Sequence, residues 1–274
     1  MTADGGRRCA VLGSPIAHSL SPALHRAAYA GLGLTDWSYD RFEVTEAGLA
    51  GFVDGLDASW RGLSLTMPLK VAALALGDAD PIAQLAGGAN TLILDGNRRR
   101  LYNTDVLGLV WAVRQQTDRP LGTITVLGAG ATARSTMVSA AWLNAKRLTV
   151  LARTPAKAQP LVSLGRRIGI DVTVLDWSAG PPRSDLLVST VPAGVADALA
   201  EEAAASAPLV FEVLYHPWPT ALAAAAEAAG CLVIGGLDLL VGQALQQIEL
   251  MTGRTVAPEV LYEAGRAALA QSNR

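Results

Sequence analysis

More than any other segment, ITVLGAGATA (Ile124–Ala133) narrows the folds open to this chain. An apolar, β-prone run stops at Gly128-Ala129-Gly130-Ala131-Thr132-Ala133, and a helical pattern follows. The spacing is G-x-G-x-x-A. The first glycine allows a sharp strand-to-helix turn, the second lets the backbone approach a phosphate, and Ala133 is small enough to pack the helix on the sheet. The helix then opens with unpaired N–H groups and a favourable dipole, which suits a pyrophosphate. A tight turn holding no ligand remains the alternative on these residues alone.

The pattern around this turn is that of a parallel α/β, Rossmann-type domain. RLTVLAR, IDVTVLD, SDLLVST, APLVFEV and CLVIGG supply five further strands after it. The second strand ends in LARTPAK, where enzymes using NAD place Asp or Glu against the ribose hydroxyl. Here Ala152 is followed by Arg153, Thr154 and Lys157. Base without acid points to a 2′-phosphate, because arginine can stack on adenine and pair with phosphate together. The expected cofactor is NADP.

Strands and helices also alternate upstream: CAVLG, a helix over 21–30, SYDRFEV, a helix over 46–56, GLSL, and a helix beginning at Pro68. Gly96-Asn97 joins NTLIL to RRRLYN as a β-hairpin. A helix from Asp105 to Gln116 leads to TDRPLG, a polar turn that marks the best domain boundary. The expected arrangement is a catalytic domain over 1–108, completed by helices in 237–274, and a doubly wound domain over 109–236.

Composition removes several functions. Net charge is −2 with both signs interspersed, so nucleic acid is not the expected partner. Arg98-Arg99-Arg100 reads as a solvated hairpin. No apolar run approaches the ~20 residues of a membrane span, and alanine-rich 221–229 reads as a buried helix. The opening MTADGGRR, a loose tail by expectation, lacks a signal core, so the cytoplasm is the expected location. Cys9 and Cys231 begin apolar runs and are expected as buried small hydrophobes, and no metal spacing is present.

The first half carries a polar cluster. Ser19 and Ser21 precede Pro22 at a helix start, where Ser21 is a helix cap or, with Ser19, a carboxylate holder. In SLTMPLK, Thr66 and Lys70 fall at a strand-to-helix junction. A lysine in a first helical turn opposes the dipole, so either it is a surface residue or it has a task there. Asn90 in GGANT and Asp105 in YNTD each follow or precede threonine near a strand end, and Asp105 could cap the next helix.

Together these segments resemble the shikimate dehydrogenase family. PIAHSLSP resembles its Ser-x-Ser carboxylate element, SLTMPLK its N-V-T-x-P-x-K, GGANT its G-A-x-N-T, and YNTD its G-x-N-T-D. GAGATAR with ART resembles its NADP-binding turn and N-R-T element. STVPAG, VLYHPWPT and GLDLLVGQA resemble its nicotinamide loop, its D-x-x-Y-x-P-x-x-T and its G-x-x-M-L-x-x-Q. The eight elements keep the family's order from Val11 to Thr252.

The resemblance implies an N-terminal α/β substrate domain and a Rossmann domain separated by a cleft. It implies NADPH-dependent reduction of 3-dehydroshikimate to shikimate, a step of chorismate and aromatic amino acid biosynthesis, by a monomer or homodimer. Lys70 and Asp105 would be the catalytic pair. Ser19, Ser21 and Tyr215 would hold the substrate carboxylate, and Ser64, Thr66, Asn90, Asp105 and Gln243 the ring hydroxyls. Thr190, Val191, Pro192, Gly236 and Leu239 would line the nicotinamide.

Four positions depart from the family pattern. Ser64 replaces Asn, which implies a shorter or water-mediated partner for one substrate hydroxyl. Ala152 replaces Asn, Leu239 replaces Met, and Glu212 stands where Asp is common. The rival readings are a quinate/shikimate dehydrogenase with broader cofactor use, a methylenetetrahydrofolate-type NADP dehydrogenase, and a non-catalytic NADP-binding sensor of the same fold.

Overall fold

The structure, a computed structural model, describes residues 6–272. Of the expected N-terminal tail, the first five residues lie outside that range, while Arg7 and Arg8 already belong to the first strand. Contacts divide the chain into two units. Residues up to Thr104 join those from Leu240 onward, and Asp105–Leu239 form the other. TDRPLG therefore lies inside the second unit, as the link from the helix Thr104–Gln116 to the strand Thr123–Leu127 rather than a boundary.

The first unit opens with β1 (Arg7–Gly13), α1 (Ser21–Gly31), β2 (Trp37–Glu43), α2 (Glu46–Asp54) and β3 (Trp60–Leu65). β4 (Asp78–Ala79), α3 (Pro81–Ala86), β5 (Thr91–Asp95) and β6 (Arg98–Tyr102) follow, and α4 (Thr104–Gln116) leaves it. Its sheet runs β2-β1-β3-β5-β6-β4. β1 is parallel to β2 and β3, whereas β5 is antiparallel to β3 and β6. The two-residue Gly96-Asn97 loop pairs Asp95 with Arg98, and Gly96 takes the positive φ of 58° that such a turn needs.

One face of this sheet buries Leu12, Leu63, Leu65, Leu69, Leu92 and Leu101 as a continuous cluster. Truncating any one of them to alanine costs about 2–5 kcal/mol, so the strand ends that carry polar residues rest on a rigid floor.

The second unit holds β7 (Thr123–Leu127), α5 (Ala131–Trp142), β8 (Arg147–Ala152), α6 (Gln159–Ile168), β9 (Asp171–Asp176) and β10 (Leu186–Ser189). It continues with α7 (Ala200–Ser206), β11 (Leu209–Glu212), α8 (Ala221–Ala228) and β12 (Leu232–Ile234). The order β12-β11-β10-β7-β8-β9 is parallel throughout. Central strands such as β10 are buried along their whole length, as expected when helices cover both faces. This is the doubly wound topology, and the strand order reverses between β7 and β10, where such sheets take ligands at their carboxyl ends. α9 (Gly236–Thr252) and α10 (Pro258–Ser272) close the chain, and α10 packs on α1.

Three expectations need correcting. No α-helix begins at Pro68: turns span 67–71 and a 3-10 helix covers Ala72–Leu76. The apolar run is cut by Gly77 before an α-helix could repay its costly first turn. α3 and the short β4 were not anticipated. α8 buries only Leu222, Ala223 and Ala226, so its alanines serve one face and not a buried helix.

Candidate active site

Within the first unit the expected polar residues gather at one edge of the sheet. β1 and β3 are parallel, so Ser19 and Ser21 follow the carboxyl end of one, and Thr66 and Lys70 follow that of the other. Because β5 runs antiparallel, its amino end lies beside the carboxyl end of β3, with Thr91 opposite Ser64. Asn90 thereby reaches the same edge from a different stretch of sequence.

Backbone hydrogen bonds tie these loops together. The Thr66 N–H donates to Leu12 (2.9 Å), the Ser14 N–H to Met67 (3.0 Å) and the Ala89 N–H to the Lys70 carbonyl (2.8 Å). Gly13 makes the first crossing possible, since a β-carbon there would lie 2.5 Å from Thr66 Cγ2. Lys70 is half-buried. With no helix starting at Pro68, the dipole argument for its placement falls away, and the loop closure through Ala89 replaces it.

Ser21 does not cap α1. Leu20 holds the cap position, Ser21 is already helical and buried, and its N–H donates to Ser19 Oγ at 3.3 Å. That bond uses a lone pair of Ser19 and leaves its hydroxyl hydrogen for another acceptor.

Asn90 is buried, and its Oδ1 accepts the Thr104 N–H (2.8 Å) and the Thr91 hydroxyl (2.9 Å). Its Nδ2 faces Thr104 Oγ1 at 3.0 Å and Gln243 Oε1 at 3.5 Å. Gln243 arrives from α9, so two side-chain amides and a hydroxyl meet at this edge. Ser64, also buried, accepts the Tyr39 hydroxyl at 2.6 Å and donates to Gln247 Oε1 at 2.7 Å. Its one hydrogen is therefore committed inside the protein, against the expectation that it serves a substrate hydroxyl.

Gln247, with His25 and Tyr39, was missed from sequence. A second glutamine one helical turn after Gln243, inside the apolar run LLVGQALQQIEL, was the available signal.

In the second unit, the glycine turn has the local geometry of a dinucleotide site. Gly128 has φ 105°, and its place at the end of β7 is fixed by its N–H donating to Leu151 (2.9 Å). Gly130 and Ala131 are exposed, and a β-carbon on Gly130 would meet nothing within 4 Å. Ala133 is buried against the sheet, while Ala129 and Thr132 are half-buried. The helix therefore begins with an open face where an anion fits.

Thr190 donates its hydroxyl to the Leu127 carbonyl at 2.7 Å, placing Val191 and Pro192 beside this turn. Arg153, Thr154 and Lys157 are exposed beyond β8, where Ala152 is buried. The carboxylate opposite Ala152 on the next strand, Asp176, is turned to its own loop, accepting from the Ser178 N–H and hydroxyl. These residues fit a 2′-phosphorylated dinucleotide.

Asp105 is buried in the first turn of α4, which begins at Thr104, so it is not the helix cap. A carboxylate there is favoured by the helix dipole. Glu212 reaches further than Asp would: its oxygens accept the Leu214 N–H (3.3 Å) and the Thr220 hydroxyl (3.3 Å). Thr220 in turn caps α8 through the Ala223 N–H. Glu212 thus braces the loop that carries Tyr215. Burial pushes the Glu212 carboxyl up to about 7 and raises the Tyr215 phenol above its usual value. The Gly236 N–H donates to Leu214 (3.2 Å), which joins the start of α9 to the same loop, with Leu239 half-buried beyond.

Comparison with known proteins agrees with these motifs. Residues 11–92 match the family described as shikimate dehydrogenase substrate binding domain. A shikimate dehydrogenase (NADP(+)) of Citrifermentans bemidjiense is 37% identical, over 98% of this chain and 97% of the relative. The crystal structure of Mycobacterium tuberculosis shikimate dehydrogenase is similar with a TM-score of 0.88 at 39% identity, covering 95% of this chain and 99% of that one. A Thermus thermophilus shikimate 5-dehydrogenase, solved in complex with NADP(H) and shikimate, is similar with a TM-score of 0.84 at 32% identity, over 96% and 99% of the two chains.

Proposed function

The chain belongs to the shikimate dehydrogenase family, and on that premise we propose that it catalyses the reversible, NADPH-dependent reduction of 3-dehydroshikimate to shikimate. The observation that carries this reading is the pair of buried amides, Asn90 and Gln243, held with the Thr104 hydroxyl at the carboxyl edge of the first sheet. A ring bearing several hydroxyls needs such groups, because each amide both donates and accepts.

Bound at the glycine turn, NADPH supplies the hydride. The protein's own task is to hold the acid and handle the proton. Ser19 and Ser21, with Tyr215, hold the carboxylate; Thr66, Asn90 and Gln243 hold ring hydroxyls. Lys70 donates a hydrogen bond and then a proton to the carbonyl oxygen as negative charge grows there. Asp105 orients the lysine and the substrate. Arg153, Thr154 and Lys157 take the 2′-phosphate. For Ser64 we replace direct substrate contact with a supporting role, since its hydrogen is spent on Gln247.

The deciding experiment follows NADPH absorbance with 3-dehydroshikimate, repeats it with NADH, and runs the reverse with shikimate or quinate plus NADP. Turnover is expected with 3-dehydroshikimate plus NADPH and with shikimate plus NADP, and not with NADH or with quinate. Equal use of quinate would move the protein to the broader-specificity reading, and no turnover in any arm would favour the sensor. Among the described residues no helix is long and apolar enough to cross a membrane.

A further inference from the structure

The buried polar network of the first unit has a direction. It begins at Tyr39, whose burial raises its phenol far above the usual range, so it stays a donor. Tyr39 donates to Ser64, and Ser64 donates to Gln247 Oε1. His25 stacks on Tyr39 with ring centroids 4.0 Å apart and sets Nε2 3.3 Å from the same oxygen. Burial pushes His25 down to about 3, so the ring is neutral, and the amide oxygen it faces places its single hydrogen on Nε2.

An amide oxygen only accepts. With Ser64 and His25 both donating to it, Gln247 must turn Nε2 the other way. There it donates to Thr91 Oγ1 at 2.9 Å and to the Asn90 carbonyl at 3.3 Å. Thr91, having accepted one hydrogen, gives its own to Asn90 Oδ1. With the Thr104 N–H also on Oδ1, the Asn90 amide nitrogen is turned toward Thr104 Oγ1 and Gln243 Oε1. Gln243 and Gln247 lie one turn apart on α9, so the bond that orients Asn90 also seats the helix carrying Gln243.

We propose that Gln247 is a positioning residue for substrate recognition: through Thr91 it fixes which face of the Asn90 amide meets the substrate, and it registers Gln243 beside it. This rests on the reaction proposed above. It also gives Ser64 its task, since a serine at that place can accept from Tyr39 and donate to Gln247 at once.

The test is steady-state kinetics on the whole enzyme, comparing wild type with Gln247→Leu, Thr91→Val and the double variant. Each single change is expected to raise the KM for shikimate about three- to tenfold, the effect of one hydrogen bond, while kcat and the KM for NADP stay within about twofold. The double variant should be no worse than the worse single, because both cut the same chain. A buried glutamine with only a structural role would lower the melting temperature and leave the shikimate KM alone; that result, or additive losses, overturns the proposal. If Gln247→Leu fails to fold, the near-isosteric Thr91→Val decides by itself. Wild-type turnover with an unmoved KM in Thr91→Val sinks this inference alone, whereas absent wild-type turnover sinks the proposed reaction and this inference with it.

Discussion

The Thr190 hydroxyl oxygen stands 2.8 Å from where a β-carbon on Gly128 would lie. The same hydroxyl is pinned to the Leu127 carbonyl, so it cannot move aside cheaply. Together with φ 105°, this makes the first glycine of the turn a requirement of the fold. Gly130 differs, since nothing in the protein opposes a side chain there.

These two glycines should therefore separate folding from binding. Gly128→Ala is expected to lose about 1–3 kcal/mol of stability through backbone strain and the Thr190 contact. Gly130→Ala should melt close to wild type yet bind NADPH far more weakly, because its methyl occupies the phosphate's approach. Thermal unfolding alongside NADPH titration distinguishes them; a Gly130→Ala variant with unaltered affinity would count against the dinucleotide turn.

Removal of the lysine amine should strike the chemical step. Lys70→Ala is expected to lower kcat by about 10²–10⁴ with little change in the KM for shikimate. Single-turnover kinetics would check that chemistry has become limiting. An unchanged kcat removes Lys70 from the mechanism.

Arg153 is exposed beyond β8, directly after the buried Ala152 that stands where NAD enzymes place an acid. Arg153→Ala should weaken NADPH by about tenfold or more while leaving the weaker NADH nearly untouched. Equal losses for both would defeat the 2′-phosphate assignment.

Glu212 predicts a pH effect of definite sign. Its carboxyl is raised by burial from 4.5 to about 7 in the folded protein, so the folded state holds the proton more tightly than the unfolded chain. Stability is then greatest below the unfolded value and falls as pH rises from 4.5 to about 7, by up to about 3 kcal/mol. Glu212→Gln keeps an acceptor for the Leu214 N–H and cannot ionise. The difference in melting temperature between variant and wild type should grow in the variant's favour across that interval; a constant difference would show that Glu212 does not titrate there.

How far the sequence revealed this molecule depended on whether a signal was local. The glycine turn at Gly128–Ala133 and the Gly96-Asn97 hairpin were legible because their backbone needs are met by residue type alone. The segment after Pro68 misled, since helical composition over a few residues cannot outweigh Gly77 and the loop's bond from Ala89 to Lys70. Asp105 was found, but its place in the first turn of α4 rather than at the cap turned on one residue of boundary. Gln247 and Tyr39 escaped notice because their meaning lies in partners 183 and 25 residues away from them, namely Ser64 for both. Periodicity marks such residues as inward-facing and says nothing of whom they meet.

The β5–β6 hairpin acts as a ruler for chemistry as well as for the sheet. Side chains alternate faces along a strand, so pairing slipped by a single step would send Leu92 outward and bring Thr91 into the apolar layer. The sheet could survive such an error, while Asn90 would aim its amide at the wrong side. Thr91 is held opposite Ser64 on β3 as well as Tyr102 on β6, so the register that buries Leu92 is also the one that delivers Asn90.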